Sequence, residues 1–531
     1  MDYFRNDNQL GVRPTVLTAA ALVALVALVG CRQDERSHAE LGAAEVELDT
    51  DTSVDEPLEI NDASITKAVE RELLFDHHTP ATDIEARTIN GEVELVGRVD
   101  NLLAKQRATR IAEQVRGVRA VSNHLELASV EAIDDEALAG DVDDALLFDP
   151  AAERYELEVR VEGGVVTLVG IVSSWAERQL AERVASSIRG VREVEAEIWI
   201  APAEQRVDAE ILAEVNGRLR WDVLVNYGGI AVEVEGGKVS LSGTVGSVAE
   251  RRRAYADAWT SGVYDVDVSG LEIAVRADQP DLHHRQLQTA SEAEIRAAIV
   301  DAASYDPRVF SFEIDPVVEG KSVTLRGSVD NLEAKQAVER IAHHTVGVAH
   351  VVNDLEVAPA RTIRRRALEQ AIEAALRTNV YTHSYEIEVK VLAGVATLTG
   401  TVDSYLEMAE AGDVAASARG VVTVTNLLQV EDDGAGFFFD PYLYPYHPYV
   451  HPWRTYAPAT TALSDEDIAG RVEYELFWSP FVDQRQVEAE VLGGRVTLTG
   501  TVDSWRERSA AEQEAFEAGA VSVNNLLHVD L

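Results

Sequence analysis

The chain has 531 residues, 47 of them basic and 92 acidic, for a net charge of −45 at pH 7. A surface this negative sets nucleic acid aside as a partner, because recognition of phosphates needs clustered lysine and arginine. A single cysteine, Cys31, excludes an internal disulfide framework and any cysteine-based metal cluster.

Taken from the N-terminus, an apolar stretch from Thr15 to Val29 is too short for a comfortable membrane-spanning helix. It ends in Leu28, Val29, Gly30, Cys31, which resembles the lipobox of bacterial lipoproteins. The resemblance implies a signal peptide over residues 1–30, cleavage before Cys31, and lipidation of its thiol and new amino group; two acyl chains anchor stably where one is marginal. Asp2 and Asp7 dilute the positive charge usual in such a leader, so an uncleaved anchor and an ordinary internal cysteine stand as the other readings. Arg32 occupies the place of the aspartate associated in some bacteria with inner-membrane retention, which favours the periplasmic face of the outer membrane where that sorting rule operates. Residues 31–60 are rich in Asp, Glu, Ser and Thr and poor in apolar residues, the composition of a solvated acidic tether.

Six copies of one unit then fill the chain, aligned on Gly97, Gly170, Gly243, Gly327, Gly400 and Gly500. Each opens with apolar residues at i, i+4 and i+8, as in Ile65, Val69, Leu73 and in Ile468, Val472, Leu476, which describes a helix with one buried stripe. Ser291 with Glu294 and Ser464 with Asp467 read as helix caps. Alternation follows, as in Tyr155, Leu157, Val159, Val161, then a tight turn such as Asn90-Gly91 or Gly163-Gly164, then a second strand reading Val93, Leu95, Gly97, Val99. The glycine recurs on the apolar face, so we expect a helix backbone to approach too closely there for a side chain. A second helix with small and branched residues, as in Ala108, Ile111, Ala112, Val115, stops at a Gly-Val step, and a short strand closes the unit.

The predicted fold class is therefore α+β: tandem αββαβ modules, each a three-stranded mixed sheet with two helices on one face. The expected modules are 61–129, 134–202, 207–275, 291–359, 361–431 and 463–531, with linkers at 276–290 and 432–462. Repeats three and six depart from the rule, with Asp257 and Glu514 where Ile or Val sits elsewhere and an aromatic two places on, Trp259 and Phe516. Either the helix is rotated with a compensating aromatic, or these two modules present a specialised contact face.

The strings VTLVGIVSSW from Val166, VTLRGSVDN from Val323, VATLTGTVDSY from Val395 and VTLTGTVDSW from Val496, set between the stripe helix and the helix ending in Gly-Val, resemble the BON (bacterial OsmY and nodulation) domain. The resemblance implies an envelope setting, association with membrane phospholipid, a part in envelope integrity under osmotic or other stress, and no catalytic residues.

The residues point the same way. There is no HExxH, nucleophile elbow or Walker loop, so no catalytic residue, cofactor, metal or small-molecule substrate is expected. The adjacent pairs His77-His78, His283-His284 and His343-His344 lack helical ligand spacing and read as solvent-exposed. Two arginine clusters, Arg251, Arg252, Arg253 and Arg364, Arg365, Arg366, are candidates for phosphate headgroups, or else pair with nearby carboxylates. The segment 434–458 holds nine of the 33 aromatics and five prolines. Its Phe437, Phe438, Phe439, Tyr442, Tyr444, Tyr446, Tyr449, Trp453 and Tyr456 must pack on neighbouring modules, a partner or the lipid interface. The expected partners are membrane phospholipid or envelope proteins; in the second case the chain is a scaffold whose only lipid contact is its anchor.

Overall fold

The computed structural model describes most of residues 59–529; residues 1–58, 76–83, 129–132, 202–205, 275–289, 310–311, 360–362, 432–462, 503–504, 530–531 and the single positions 154 and 384 lie outside the description. Cys31 and the whole aromatic-rich segment are among the residues not described.

The described residues form six repeats of one unit. In module one, helix Asp62–Phe75 leads into strands Ile84–Ile89 and Glu92–Val99, helix Leu102–Glu113 and strand Ala120–Leu127. The hairpin strands are antiparallel and the last strand lies parallel to the central one, so the sheet is mixed, with the second strand in the middle. The same order recurs in the other five sheets. All six predicted helix stripes are buried. They lie with Val93, Leu95 and Val99 and their counterparts in a core between one sheet face and the two helices, while the other sheet face is open to solvent. Both predicted helix caps form, each as a reciprocal capping box. The second helices begin on a side-chain cap four residues past the strand glycine, Asn101, Ser174, Ser247, Asn331 and Ser404 in turn.

The reason for the strand glycine differs from the sequence expectation. A Cβ at Gly243 would stand 2.0 Å from the carbonyl oxygen of Gly229, and at Gly500 1.9 Å from that of Gln486; at Gly327 and Gly400 the obstacles are the carbonyls of Glu313 and Glu386. These oxygens lie just before or at the start of the first hairpin strand, so the neighbouring strand, and not a helix, excludes the side chain. Positive φ at these four glycines, +122° to +145°, adds a second reason.

The modules pack on one another. Where a first helix ends, a short turn meets the end of another module's second helix and the two exchange backbone hydrogen bonds. Val223 N donates to His344 O and Val346 N to Trp221 O, both at 2.9 Å. Val380 N donates to Ser187 O at 2.8 Å and Arg189 N to Thr378 O at 2.9 Å. Arg116 N donates to Trp478 O at 3.0 Å, and the return bond cannot form because Pro480 has no N–H. The three junctions join modules three and four, two and five, and one and six.

Candidate functional site

The hairpin turn of each module lies beside the start of its first helix, and one carboxylate ties them. Asp62 accepts from Asn90 N and Gly91 N, Asp135 from Gly163 N and Gly164 N, Asp208 from Gly236 N and Gly237 N, and Asp465 from Gly493 N and Gly494 N, at 2.7–3.2 Å. Glu292 does the same for Gly320 N at 2.8 Å. An acid here also suits the positive end of the helix dipole. The signal was present in the sequence, thirty-five residues before each glycine, but it needs the hairpin and helix to be side by side before it means anything.

Module five breaks this rule. Arg365 stands where the acid should be, and the turn is Ala393-Gly394 with Ala393 at φ +50°, a conformation that costs a non-glycine residue energy. Arg364, Arg365 and Arg366 are all exposed at the start of helix Arg365–Thr378. Among the described residues only Arg365 of the three forms an ion pair, with Glu369 of the next turn at 3.2 Å. The turn itself lifts Leu392 to 76% exposure, with Val422 39% exposed beside Gly394. This end of module five therefore presents three cations, two turn amides without a carboxylate cap, and an exposed leucine.

The other arginine cluster is engaged inside the molecule. Arg252 pairs with Glu113 of module one at 2.5 Å, and Arg253 with Asp222 at 2.5 Å. Of that cluster the structure leaves Arg251 for other contacts, so the alternative of pairing with carboxylates holds for the other two. Asp257 is buried beside Arg218, 3.3 Å away; burial raises its carboxyl to about 7 against the pull of Arg253. Asp222 is buried as well, but Arg253 and then His344 outweigh that and hold it below the usual carboxylate range. Trp259 stacks on Trp175 of module two, with ring centroids 6.1 Å apart and planes within 5°. The specialised face anticipated for module three is thus a contact with its neighbouring module. His343 and His344 do not face solvent as expected: His344 is buried in the junction of modules three and four, and burial lowers the His343 imidazole pKa.

The junction of modules one and six brings more carboxylates than cations together. Arg71 pairs with Glu475 at 2.7 Å and lies over the Tyr474 ring, 4.1 Å from its centroid. The Arg116 guanidinium donates to Ser479 O at 2.6 Å and Val482 O at 2.8 Å. Against these two cations stand Glu72, Glu475, Glu514 and Glu517 around a cavity of about 40 Å³, also lined by Gln114 and Trp478. Burial, then the charge of Glu475, raises Glu72 well above the usual range; burial also raises Glu475, and raises Glu514 well above it. This space is far below the several hundred Å³ of a small-molecule site. A wider groove on module four, between its first helix and first strand, has its facing charges Arg296 and Asp315 paired at 2.5 Å. Among the described residues no group of His, Cys, Asp and Glu has the geometry of a metal site, and no helix is long and apolar enough to cross a membrane.

One further residue escaped the sequence reading. Asn123, Asn353, Asn426 and Asn525, in the closing strands, donate through Nδ2 to carbonyls of the second helix, Lys105, Lys335, Met408 and Arg508, at 2.7–2.9 Å. They lock the last strand to that helix.

Comparison with known proteins finds the BON domain profile on residues 61–129, 134–202, 207–275, 291–359, 365–432 and 464–530. Osmotically-inducible protein Y of Escherichia coli is 30% identical over 141 residues, which cover 25% of this chain and 70% of that protein. Outer membrane lipoprotein DolP of Haemophilus influenzae is 30% identical over 141 residues, covering 26% of this chain and 72% of the relative. A solved structure of CdsD, a structural protein of the type III secretion system of Chlamydia trachomatis, aligns over 40% of this chain and 92% of its own at 15% identity, with a TM-score of 0.12.

Proposed function

Because this chain belongs to the BON domain family, we propose that it is a non-enzymatic protein of the cell envelope, carried by lipid on Cys31 at the periplasmic face of the outer membrane, whose modules contact membrane phospholipid in support of envelope integrity under stress. Relatives named for osmotic induction and as an outer membrane lipoprotein support the setting. The observation that carries the contact is the open end of module five, where Arg364, Arg365 and Arg366 surround an uncapped turn bearing Leu392. Near a headgroup surface each such cation contributes about 1 kcal/mol. The net charge of −45 opposes approach to anionic lipid, but at physiological salt charges more than about 8 Å away are largely screened. A local cationic patch can therefore act within an acidic molecule. The aromatic segment 434–458 follows module five directly in sequence and supplies Phe437, Phe438, Phe439, Tyr442, Tyr444, Tyr446, Tyr449, Trp453 and Tyr456 as further interfacial anchors.

The test is flotation of the chain from residue 32, without its lipid, on vesicles of phosphatidylethanolamine and phosphatidylglycerol. Binding at moderate salt is expected, with large losses on replacing the three arginines by glutamate or deleting 434–458. A chain that stays at the bottom of the gradient yet captures envelope proteins supports the second reading, a scaffold or adaptor touching lipid only through its anchor. The observation favouring that reading is that module surfaces here already serve protein contacts.

A further inference from the structure

The six modules are two sets of three. Asp100, Asn101, Leu102, Ala104, Lys105 and Gln106 of module one recur as Asp330, Asn331, Leu332, Ala334, Lys335 and Gln336 of module four. Modules three and six share more than their acid and aromatic. Each enters its first strand through a short 3₁₀ turn, Tyr227–Gly229 and Gln484–Gln486. In each a second-helix glutamate accepts the N–H just before that turn, Glu250 from Asn226 at 2.6 Å and Glu507 from Asp483 at 2.7 Å. Gly327 follows Gly97 by 230 residues and Gly400 follows Gly170 by 230, whereas Gly500 follows Gly243 by 257. The additional 27 residues fall between Gly400 and Gly500, where the aromatic segment lies.

The contacts divide along the same line. Within each set, the leucine that opens the first module's second helix packs on the core of the next module: Leu102 on that of module two, Leu332 on that of module five. Between the sets, the helix-end junctions pair three with four, two with five and one with six, a nested antiparallel order. Arg419 of module five adds an ion pair to Glu153 of module two, 3.1 Å from Nη1 to Oε2.

We propose that residues 61–275 and 291–530 are two copies of one three-module arm, and that the helix-end surface of an arm is a docking site whose fitting partner is a second copy of such an arm. The single chain supplies that copy to itself, so the 276–290 linker only raises the effective concentration of the two arms.

The full chain with a site-specific protease sequence placed within 276–290, folded and then cut, tests this. Light scattering after size exclusion is expected to find both fragments in one peak at the mass of the uncut chain; two separate peaks in the same buffer overturn the proposal. The surface is tested on the cut chain by Val380→Pro, which removes one junction donor at a position where modules two and six carry Pro150 and Pro480, so the backbone tolerates it. One hydrogen bond of about 1 kcal/mol predicts dissociation about fivefold easier. The exposed substitution Glu153→Arg, which leaves every module core intact, is expected to weaken the arms in the same direction. Arms that stay together with unchanged affinity in both variants sink the assignment of the surface.

Discussion

Gly500 and Gly140 are the same residue type under opposite constraints. At Gly500 a side chain would meet the Gln486 carbonyl at 1.9 Å on a backbone at φ +128°, whereas a Cβ on Gly140, exposed in helix Asp135–Phe148, meets nothing within 4 Å. Gly500→Val is therefore expected to destabilise its module by about 2–4 kcal/mol, from strain and displacement of the neighbouring strand. Gly140→Ala should stabilise by about 0.5–1 kcal/mol, because a helix interior gains when glycine's freedom is removed. Urea unfolding of the two variants checks both signs in one experiment. The strand glycine was legible in the sequence as a fixed point, but its cause was not: sequence alone cannot say whether strand or helix comes close.

The helix–turn tie shows how an element can be built in five modules and left open in the remaining one, module five. Arg365→Asp in module five would restore a carboxylate facing the Ala393 and Gly394 amides and place an acid at the helix start. The expected outcome is a higher unfolding midpoint by calorimetry together with weaker vesicle flotation, since the same change removes one cation and caps the turn. A variant that gains stability without losing flotation would place the lipid contact elsewhere. The helices, strands and turns themselves were readable, because periods of 3.6 and 2 and paired turn residues are local properties. The capping acids and the closing-strand asparagines were visible as letters only, since their partners in the helix and turn lie 13 to 29 residues away and the contact exists only after the sheet forms.

At the scale of the molecule, the junction between the first and last modules is weighted toward negative charge. Glu72, Glu475 and Glu514, with Glu517 beside them, face Arg71 and Arg116, with Asp483 and Arg485 beyond and the Tyr474 ring on Arg71. Carboxyls whose folded pKa is raised stabilise most where they are protonated in both states, below about pH 4.3, and that contribution is lost as pH rises through their raised values. The junction should be tightest in acid and loosen as pH rises above the usual carboxylate range. Asp306 of module four behaves oppositely: burial raises it, but Arg308 overrules burial and holds it at about 2, so its contribution is lost only as pH falls toward that value. Distance measurements between labels at Glu85→Cys and Glu488→Cys, in a chain without Cys31, should lengthen from pH 5 to pH 9. Glu72→Gln with Glu514→Gln should hold the distance short throughout, and a distance unchanged by pH in the parent chain would show that the charges do not govern closure.

The repeat, its register, the αββαβ order, the buried stripes and the family were determined by the sequence alone, because each depends on neighbours within one module and recurs six times. The destination of Arg252, Arg253, Asp257, Trp259 and His344, and the pairing of one with six, two with five and three with four, was decided only by the tertiary structure. A charged or aromatic letter on a helix end reads as surface until another module covers it, and which module arrives depends on contacts 84 to 404 residues apart that leave no periodic trace in the chain.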